Sequence, residues 1–298
     1  MATCYMSTDL PDASPNEAKE RIRSAAKNSG IPLSRRKITA NLIPASLPKR
    51  GSGFDFAVTM AVLRAANDVK PTGRTVFIAE LGLDGRLRPV RGILPAVMAS
   101  VQAGYPEIVV AQANLAEASL VPGANVCGYR TLARLALDFG ADPQELALDF
   151  EPDDADDDQD CPPLPEQCPD MADVSGQGDA RRALEVAAAG AHHLLLTGPP
   201  GAGKTMLAER LPGLLPDLGD HESMEVTAIR SLCALPASSV QLLRRPPFEN
   251  PHHSATAAAI IGGGSGLPRP GAASRAHRGV LFLDEASHLG HTTQTVNA

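Results

Sequence analysis

The sequence predicts an α/β protein of two domains joined by an acidic linker, the second domain being built on a phosphate-binding loop. Three observations carry this. Gly198-Pro199-Pro200-Gly201-Ala202-Gly203-Lys204-Thr205 fits G-x-x-x-x-G-K-S/T. It lies between His193-Leu194-Leu195-Leu196-Thr197, which reads as a buried strand, and Met206 to Leu215, which reads as the helix that follows. Helix and strand signals also alternate from Ser14 to about Gly140. Between these regions, Asp149 to Asp160 carries eight acids and no base in twelve residues, and Cys161 to Pro169 is rich in proline. Like charges repel and proline stays extended, so neither stretch repays the entropy of packing. The expected division is residues 1–140, a linker over 141–172, and residues 173–298.

Ser14-Pro15-Asn16-Glu17 combines capping-box spacing with proline at the first helical position, and Gly30 supplies the stop. Ile38 to Ile43 alternates as a strand. After the turn-rich Pro48-Lys49-Arg50-Gly51-Ser52-Gly53 comes an apolar helix from Phe54 to Ala66. Arg74 to Leu81 and Glu107 to Ala111 read as strands, separated by a helix from Gly92 to about Ala103 that Gly104 ends. In the second domain, Asp173-Val174-Ser175-Gly176-Gln177 precedes a helix from Asp179 to Ala189, with Gly190 as its stop.

Composition narrows the class. The chain has 298 residues, 43% hydrophobic and 20% charged, as expected of a soluble globular protein with room for a core in each domain. The acidic run alone outweighs the net charge of −7, so overall charge argues neither for nor against a nucleic-acid partner. Five cysteines are scattered, an odd number without framework spacing, which points to a reducing cytoplasm. No run approaches the ~18 apolar residues of a membrane span. Tryptophan is absent and aromatics are 3%, so no aromatic platform for stacking bases is visible.

The loop's chemistry is specific. Its glycines let the backbone turn tightly and point N–H groups inward, and the following helix start adds partial positive charge, so its ligand is a nucleotide polyphosphate, ATP or GTP. Lys204 would reach the β- and γ-phosphates and Thr205 would ligate Mg²⁺. Downstream, Gly279-Val280-Leu281-Phe282-Leu283-Asp284-Glu285 is an apolar strand ending in two acids. In that pattern Asp284 holds Mg²⁺, and Glu285 orients and polarises the attacking water.

Metal alternatives have poorer spacing. Cys161 and Cys168 are not a C-x-x-C pair, and the adjacent His252 and His253 would point about 100° apart on a helix. The segment between loop and acidic strand reads as an inserted excursion. It runs through Arg244-Arg245-Pro246-Pro247-Phe248-Glu249-Asn250-Pro251-His252-His253-Ser254, Ile261-Gly262-Gly263-Gly264, Pro268-Arg269-Pro270-Gly271 and Ala276-His277-Arg278-Gly279. Arg244, Arg245, Arg269, Arg275 and Arg278 offer either a basic edge for phosphates or a solvated polar loop.

Two resemblances then enter. Pro48 to Gly53 and Gly82-Leu83-Asp84-Gly85-Arg86-Leu87-Arg88-Pro89-Val90-Arg91-Gly92-Ile93-Leu94 resemble the signature regions of the Lon protease domain, which implies a ribosomal-S5-like α+β fold. In that family a serine nucleophile works with a lysine base. Here the nucleophile position falls on Gly53, with Ser52 one residue early, and the lysine position on Leu94. Leucine accepts no proton, so the domain is expected to be a scaffold or partner-binding module. The glutamine-ending Asp173 to Gln177, the loop, the insert and the Asp-Glu strand together resemble the magnesium-chelatase-like AAA+ ATPases. With the Lon-like domain placed first, they resemble the competence-associated ComM/YifB branch.

That resemblance implies a P-loop AAA+ core of three αβα layers, with ATP and Mg²⁺ as cofactors. It also implies a ring of copies of the chain, a hexamer once a lid is supplied, and DNA as substrate. Glu249-Asn250 and Ala272 depart from the residues usual in the family. The chain stops at Ala298, so the sensor, arginine finger and helical lid implied by the family are expected to be missing from it. The expectation is a Mg²⁺-dependent, DNA-directed ATPase. A nucleotide binder without turnover and a metal-chelatase subunit stand beside it.

Overall fold

The computed structural model describes residues 5–6, 14–31, 33, 39–40, 52–148, 169–233, 241–252, 254–263 and 268–284. They fall into two compact units, whose main boundary follows Cys161. No helix among the described residues is long and apolar enough to cross a membrane.

The N-terminal unit runs β1 (Tyr5–Met6), α1 (Ser14–Asn28), β2 (Thr39–Ala40), α2 (Asp55–Ala66), β3 (Val76–Ile78), β4 (Glu80–Leu81), β5 (Leu87–Arg88), α3 (Ile93–Gln102), β6 (Glu107–Ala111), α4 (Leu115–Ala118), β7 (Asn125–Tyr129) and α5 (Leu132–Asp138). Its centre is a parallel sheet in the order β3-β6-β7, with Val76 opposite Ile108 and Ile108 opposite Val126. β4 and β5 form an antiparallel hairpin, and β1 pairs with β2 in parallel. The apolar run of β6 is buried from Ile108 to Ala111, as a strand covered on both faces requires.

α2 supplies the core's largest side chains. Phe56, Met60 and Leu63 lie on one helical face and are essentially fully buried, each worth roughly 1.5–3 kcal/mol. Phe56 meets Phe77 edge to face, with centroids 5.5 Å apart. Ile22, Ala25 and Ala26 of α1 close over them. Gly30, at φ +81°, ends the first helix as its sequence predicts. A Cβ there would also lie 2.0 Å from the Glu145 carbonyl oxygen, so the chain past Gly140 returns to this unit, where Ala141 and Leu146 pack on the core.

The C-terminal unit runs α6 (Gly178–Gly190), α7 (Lys204–Ala208), α8 (Leu211–Leu214), α9 (Asp220–Ser231), β8 (Phe248–Glu249), α10 (Ala257–Ile261), β9 (Gly262–Gly263), β10 (Arg269–Pro270), α11 (Ala272–Arg275) and β11 (Val280–Leu281). β11 lies parallel to β8, and β9 pairs with β10 in a short antiparallel ribbon.

Two expectations fail here. His193 to Thr197 is not a buried strand: it has no regular structure, and Leu195 is 83% exposed. An apolar run becomes a strand only where a neighbour takes up its backbone groups, and the parallel pairing in this unit goes to β8 and β11 instead. The helix expected from Met206 to Leu215 is broken into α7 and α8, because Pro212 has no N–H to continue the ladder and sits in the first turn of a new helix.

Candidate functional site

Gln177 opens the site, at φ +51° just before α6. Its Nε2 donates to the Ala202 carbonyl at 3.2 Å and bridges from the helix start into the glycine-rich loop. Gly201 and Gly203 both have φ +79°, the left-handed region where a side chain is strained. At Gly203 a Cβ would also approach Gln177 Nε2 at 3.0 Å, so the amide would have to give way slightly, while the left-handed backbone is what calls for glycine. α7 starts at the next residue. Leu207 faces inward with Met171, Val174 and Leu184, which fixes the helix that carries the loop against α6.

Gly198, Pro199, Pro200 and Gly201 are exposed, whereas Ala202, Gly203, Lys204 and Thr205 are half-buried. The loop therefore presents its outer rim to solvent. Lys204 Nζ arches back over that rim and donates to the carbonyls of Gly198 and Pro199 at 3.0 and 3.2 Å, which holds the ammonium at the loop's mouth. Across 79 positions of sequence, Thr205 Oγ1 donates to Asp284 Oδ2 at 3.2 Å. Two hard oxygen groups thus converge beside a cationic loop, a combination suited to a divalent cation and a polyphosphate. Glu285, the expected water-orienting residue, lies outside the described residues.

The strand that delivers Asp284 is closely held. Val280 N donates to Pro247 O at 2.8 Å and Phe282 N to Glu249 O at 2.9 Å. The Phe248 and Phe282 rings stack at 6.2 Å. Gly279 permits the approach, since a Cβ there would lie 2.1 Å from the Pro247 carbonyl oxygen. Along α6 and the segment that follows it, Val186 and Leu194 line an open groove of about 430 Å³ together with Asp179, Arg182, Ala183, Ala187, His192 and His193.

The insert's arginines divide. Arg275 forks onto Glu249, with Nε to Oε1 at 3.0 Å and Nη2 to Oε2 at 2.8 Å, and Glu249 raises its pKa through those bonds. Arg244 pairs with Asp220, and Arg278 with Glu225 and Glu222. Sequence reasoning missed these acids. The departure at Glu249 was a usable signal, whereas the α9 acids carried none. Arg245 and Arg269 are exposed. His252 Nδ1 shares a hydrogen bond with Ser254 Oγ at 2.8 Å, while His253, Cys161 and Cys168 lie outside the described residues. Burial pushes the Cys233 thiol up, which disfavours its reactive thiolate.

In the N-terminal unit, Leu94 at the start of α3 is fully buried and Gly53 is exposed. The two positions of the Lon dyad are therefore occupied by a core residue and a residue without a side chain. Nearby, the buried Asn114 clamps Val90, accepting from its N–H at 2.8 Å and donating to its carbonyl at 3.0 Å.

Two family models match the chain. The one described as magnesium chelatase, subunit ChlI, covers residues 170–296. The one described as subunit ChlI of Mg-chelatase covers residues 5–114. An uncharacterised protein of Mycobacterium tuberculosis is 52% identical over 94% of this chain and 54% of its own length. The competence protein ComM of Haemophilus influenzae is 41% identical over 93% of the chain and 53% of its own length. Lon protease 2 of Bacillus subtilis is 32% identical over 39% of the chain and 22% of its own length. The chain spans about half the length of the ChlI-type relatives it matches.

Proposed function

The chain belongs to the magnesium chelatase ChlI family, as a homologue of ComM and YifB, and on that premise we propose that its C-terminal unit is the Mg²⁺-dependent ATP site of a DNA-directed AAA+ motor. The observation that carries the reading is the meeting of Thr205 Oγ1 and Asp284 Oδ2 beside a loop spanned by the Lys204 ammonium. The residues fit the cofactors: two oxygen donors lie side by side for the cation, and the loop turns on two left-handed glycines with a lysine at its mouth. Membership of an AAA+ family implies nucleotide binding independently. The S5-like fold of the first unit and the three-layer αβα core of the second are part of the same reading.

In that site Thr205 and Asp284 would hold Mg²⁺, which would supply neutralisation of the phosphate charge. Lys204, now donating to two loop carbonyls, would bind the phosphate oxygens of a nucleotide. Gln177 keeps the loop from collapsing by holding Ala202. Glu285 takes the role of orienting the attacking water. The N-terminal unit serves as a scaffold or partner-binding module, since Leu94 and Gly53 supply neither base nor nucleophile. DNA is the substrate, a ring of six is the working assembly, and Arg245 and Arg269 of the insert, both exposed, are available to phosphates. The motor acts in the cytoplasm.

Steady-state phosphate release from Mg-ATP, with and without single-stranded DNA, tests this on the chain extended to its relatives' full length. Release that DNA stimulates, and that Lys204→Ala and Glu285→Gln each reduce by at least about a hundredfold, is the expected result. Nucleotide affinity without any release would instead support a non-hydrolysing binder. Turnover that both substitutions leave intact would sink the site assignment.

A further inference from the structure

Asp284 is delivered by a strand whose entry is fixed from outside the site. The turn before β11 contains Arg278 at φ +60°, a left-handed conformation that strains a non-glycine residue. Its guanidinium reaches α9, with Nε 3.2 Å from Glu225 Oε2 and Nη1 3.4 Å from Glu222 Oε1. His277 Nε2 lies 3.4 Å from the same Glu225 oxygen and His221 Nδ1 3.5 Å from the other. One carboxylate thus gathers three nitrogens from two elements, two of them in hydrogen bonds. The hydrogen bond from His277, followed by that from Arg278, draws the Glu225 carboxyl below its ordinary range.

α9 is itself anchored. Arg244 pairs with Asp220 at its start, and Thr227 Oγ1 accepts from the Leu243 N–H at 3.1 Å. On the other side of the turn, Arg275 forks onto Glu249 of β8, the strand along which β11 runs. From Arg275 to Phe282 the backbone is held at each step: by Glu249, by the α9 acids, by the seat of Gly279 on Pro247, and by the ladder.

We propose that Arg278, held by Glu225 and Glu222, is a positioning residue for Asp284, so that α9 sets the cation affinity of the nucleotide site from outside it. This rests on Asp284 being the metal-binding carboxylate of the proposed site. Stability does not account for the arrangement. The pairs are substantially exposed, 43% for Arg278 and 31% for Glu225, and such pairs contribute little, about as much as the strained backbone costs. What the contact fixes is the direction in which the chain enters β11, and six residues later that direction becomes the position of a carboxylate beside Thr205.

The test is the affinity of a fluorescent ADP analogue, measured in Mg²⁺ and in EDTA, for the wild-type chain and for Glu225→Gln, Arg278→Lys and Arg278→Gly. Glycine relieves the left-handed strain, so Arg278→Gly removes the guanidinium without threatening the fold, and its melting temperature provides the check. The wild type is expected to bind at least about tenfold tighter in Mg²⁺ than in EDTA. Glu225→Gln and Arg278→Gly should lose most of that ratio while their affinity in EDTA stays within about twofold of wild type, and Arg278→Lys should retain part of it. A full Mg²⁺ ratio in Arg278→Gly overturns the inference and leaves the nucleotide site standing. Absence of nucleotide binding in the wild type, or binding that Lys204→Ala leaves unchanged, overturns the site and the inference with it.

Discussion

Leu94 is a core residue where a lysine base would stand, and the consequence is measurable. Leu94→Ala should cost about 2–5 kcal/mol in urea denaturation, because a fully buried leucine leaves a cavity. Gly53→Ser should be close to neutral, since nothing lies within 4 Å of a Cβ built there. The pair Gly53→Ser with Leu94→Lys should destabilise further and cleave no casein, because the ammonium would be placed in an apolar core. Peptide-bond hydrolysis by that variant would contradict the scaffold reading. Asp55, buried at the start of α2, makes a second test. Burial raises its carboxyl above 3.8, with the Arg21 hydrogen bond at 2.7 Å and then the Arg21 charge opposing, and the Glu80 charge adding to the rise. A raised native pKa means that the folded state binds the proton more tightly than the unfolded chain. The contribution is therefore complete below the unfolded value and is lost as pH rises through the native one. Relative to Asp55→Asn, wild-type stability should fall as pH rises upward from about 4. Paired denaturation curves showing a gap that widens in favour of wild type with pH would refute this.

At the level of elements, the β8–β11 contact is the most exposed to a single change. Gly279→Ala would put a methyl onto the Pro247 carbonyl, so the strands must part, at a cost of roughly 1–3 kcal/mol. Protection of the Val280 and Phe282 amides from hydrogen exchange should drop with it, and unchanged protection would argue against the tight seat. Local signals were legible where they are sufficient. Proline and glycine stops bounded α1, the apolar run of β6 was read at its true ends, and α3 began after Gly92, which takes the left-handed φ of +72°. They failed where a partner decides the outcome. His193 to Thr197 has strand composition, but Leu195 faces solvent, whereas the half-polar Asn125–Tyr129, unread in the sequence, became a strand by pairing with β6 along its whole length. The motifs named Thr205 and Asp284, which meet in hydrogen-bond contact. They gave no hint of Glu222, Glu225 or His221, because an acid on a solvated helix face looks the same in sequence whether or not an arginine comes to it.

On the scale of the whole molecule, the family is shared by both units, one matched to each ChlI model, while the chain accounts for about half the length of relatives such as ComM. On the proposed reading, DNA binding through phosphates should be strongly salt-dependent, with each lost arginine contact lowering the slope of log affinity against log salt by about one. Arg245→Ala and Arg269→Ala together should reduce that slope without changing nucleotide affinity, and an unchanged slope would place DNA elsewhere. The most direct test of the central claim is simpler: titrate the 298-residue chain with a fluorescent ATP analogue in Mg²⁺, beside Lys204→Ala and Asp284→Asn. The account predicts saturable binding that Lys204→Ala weakens by at least about tenfold, and for which Asp284→Asn loses the benefit of Mg²⁺ but retains the affinity seen in EDTA. Equal affinities for all three proteins would contradict it.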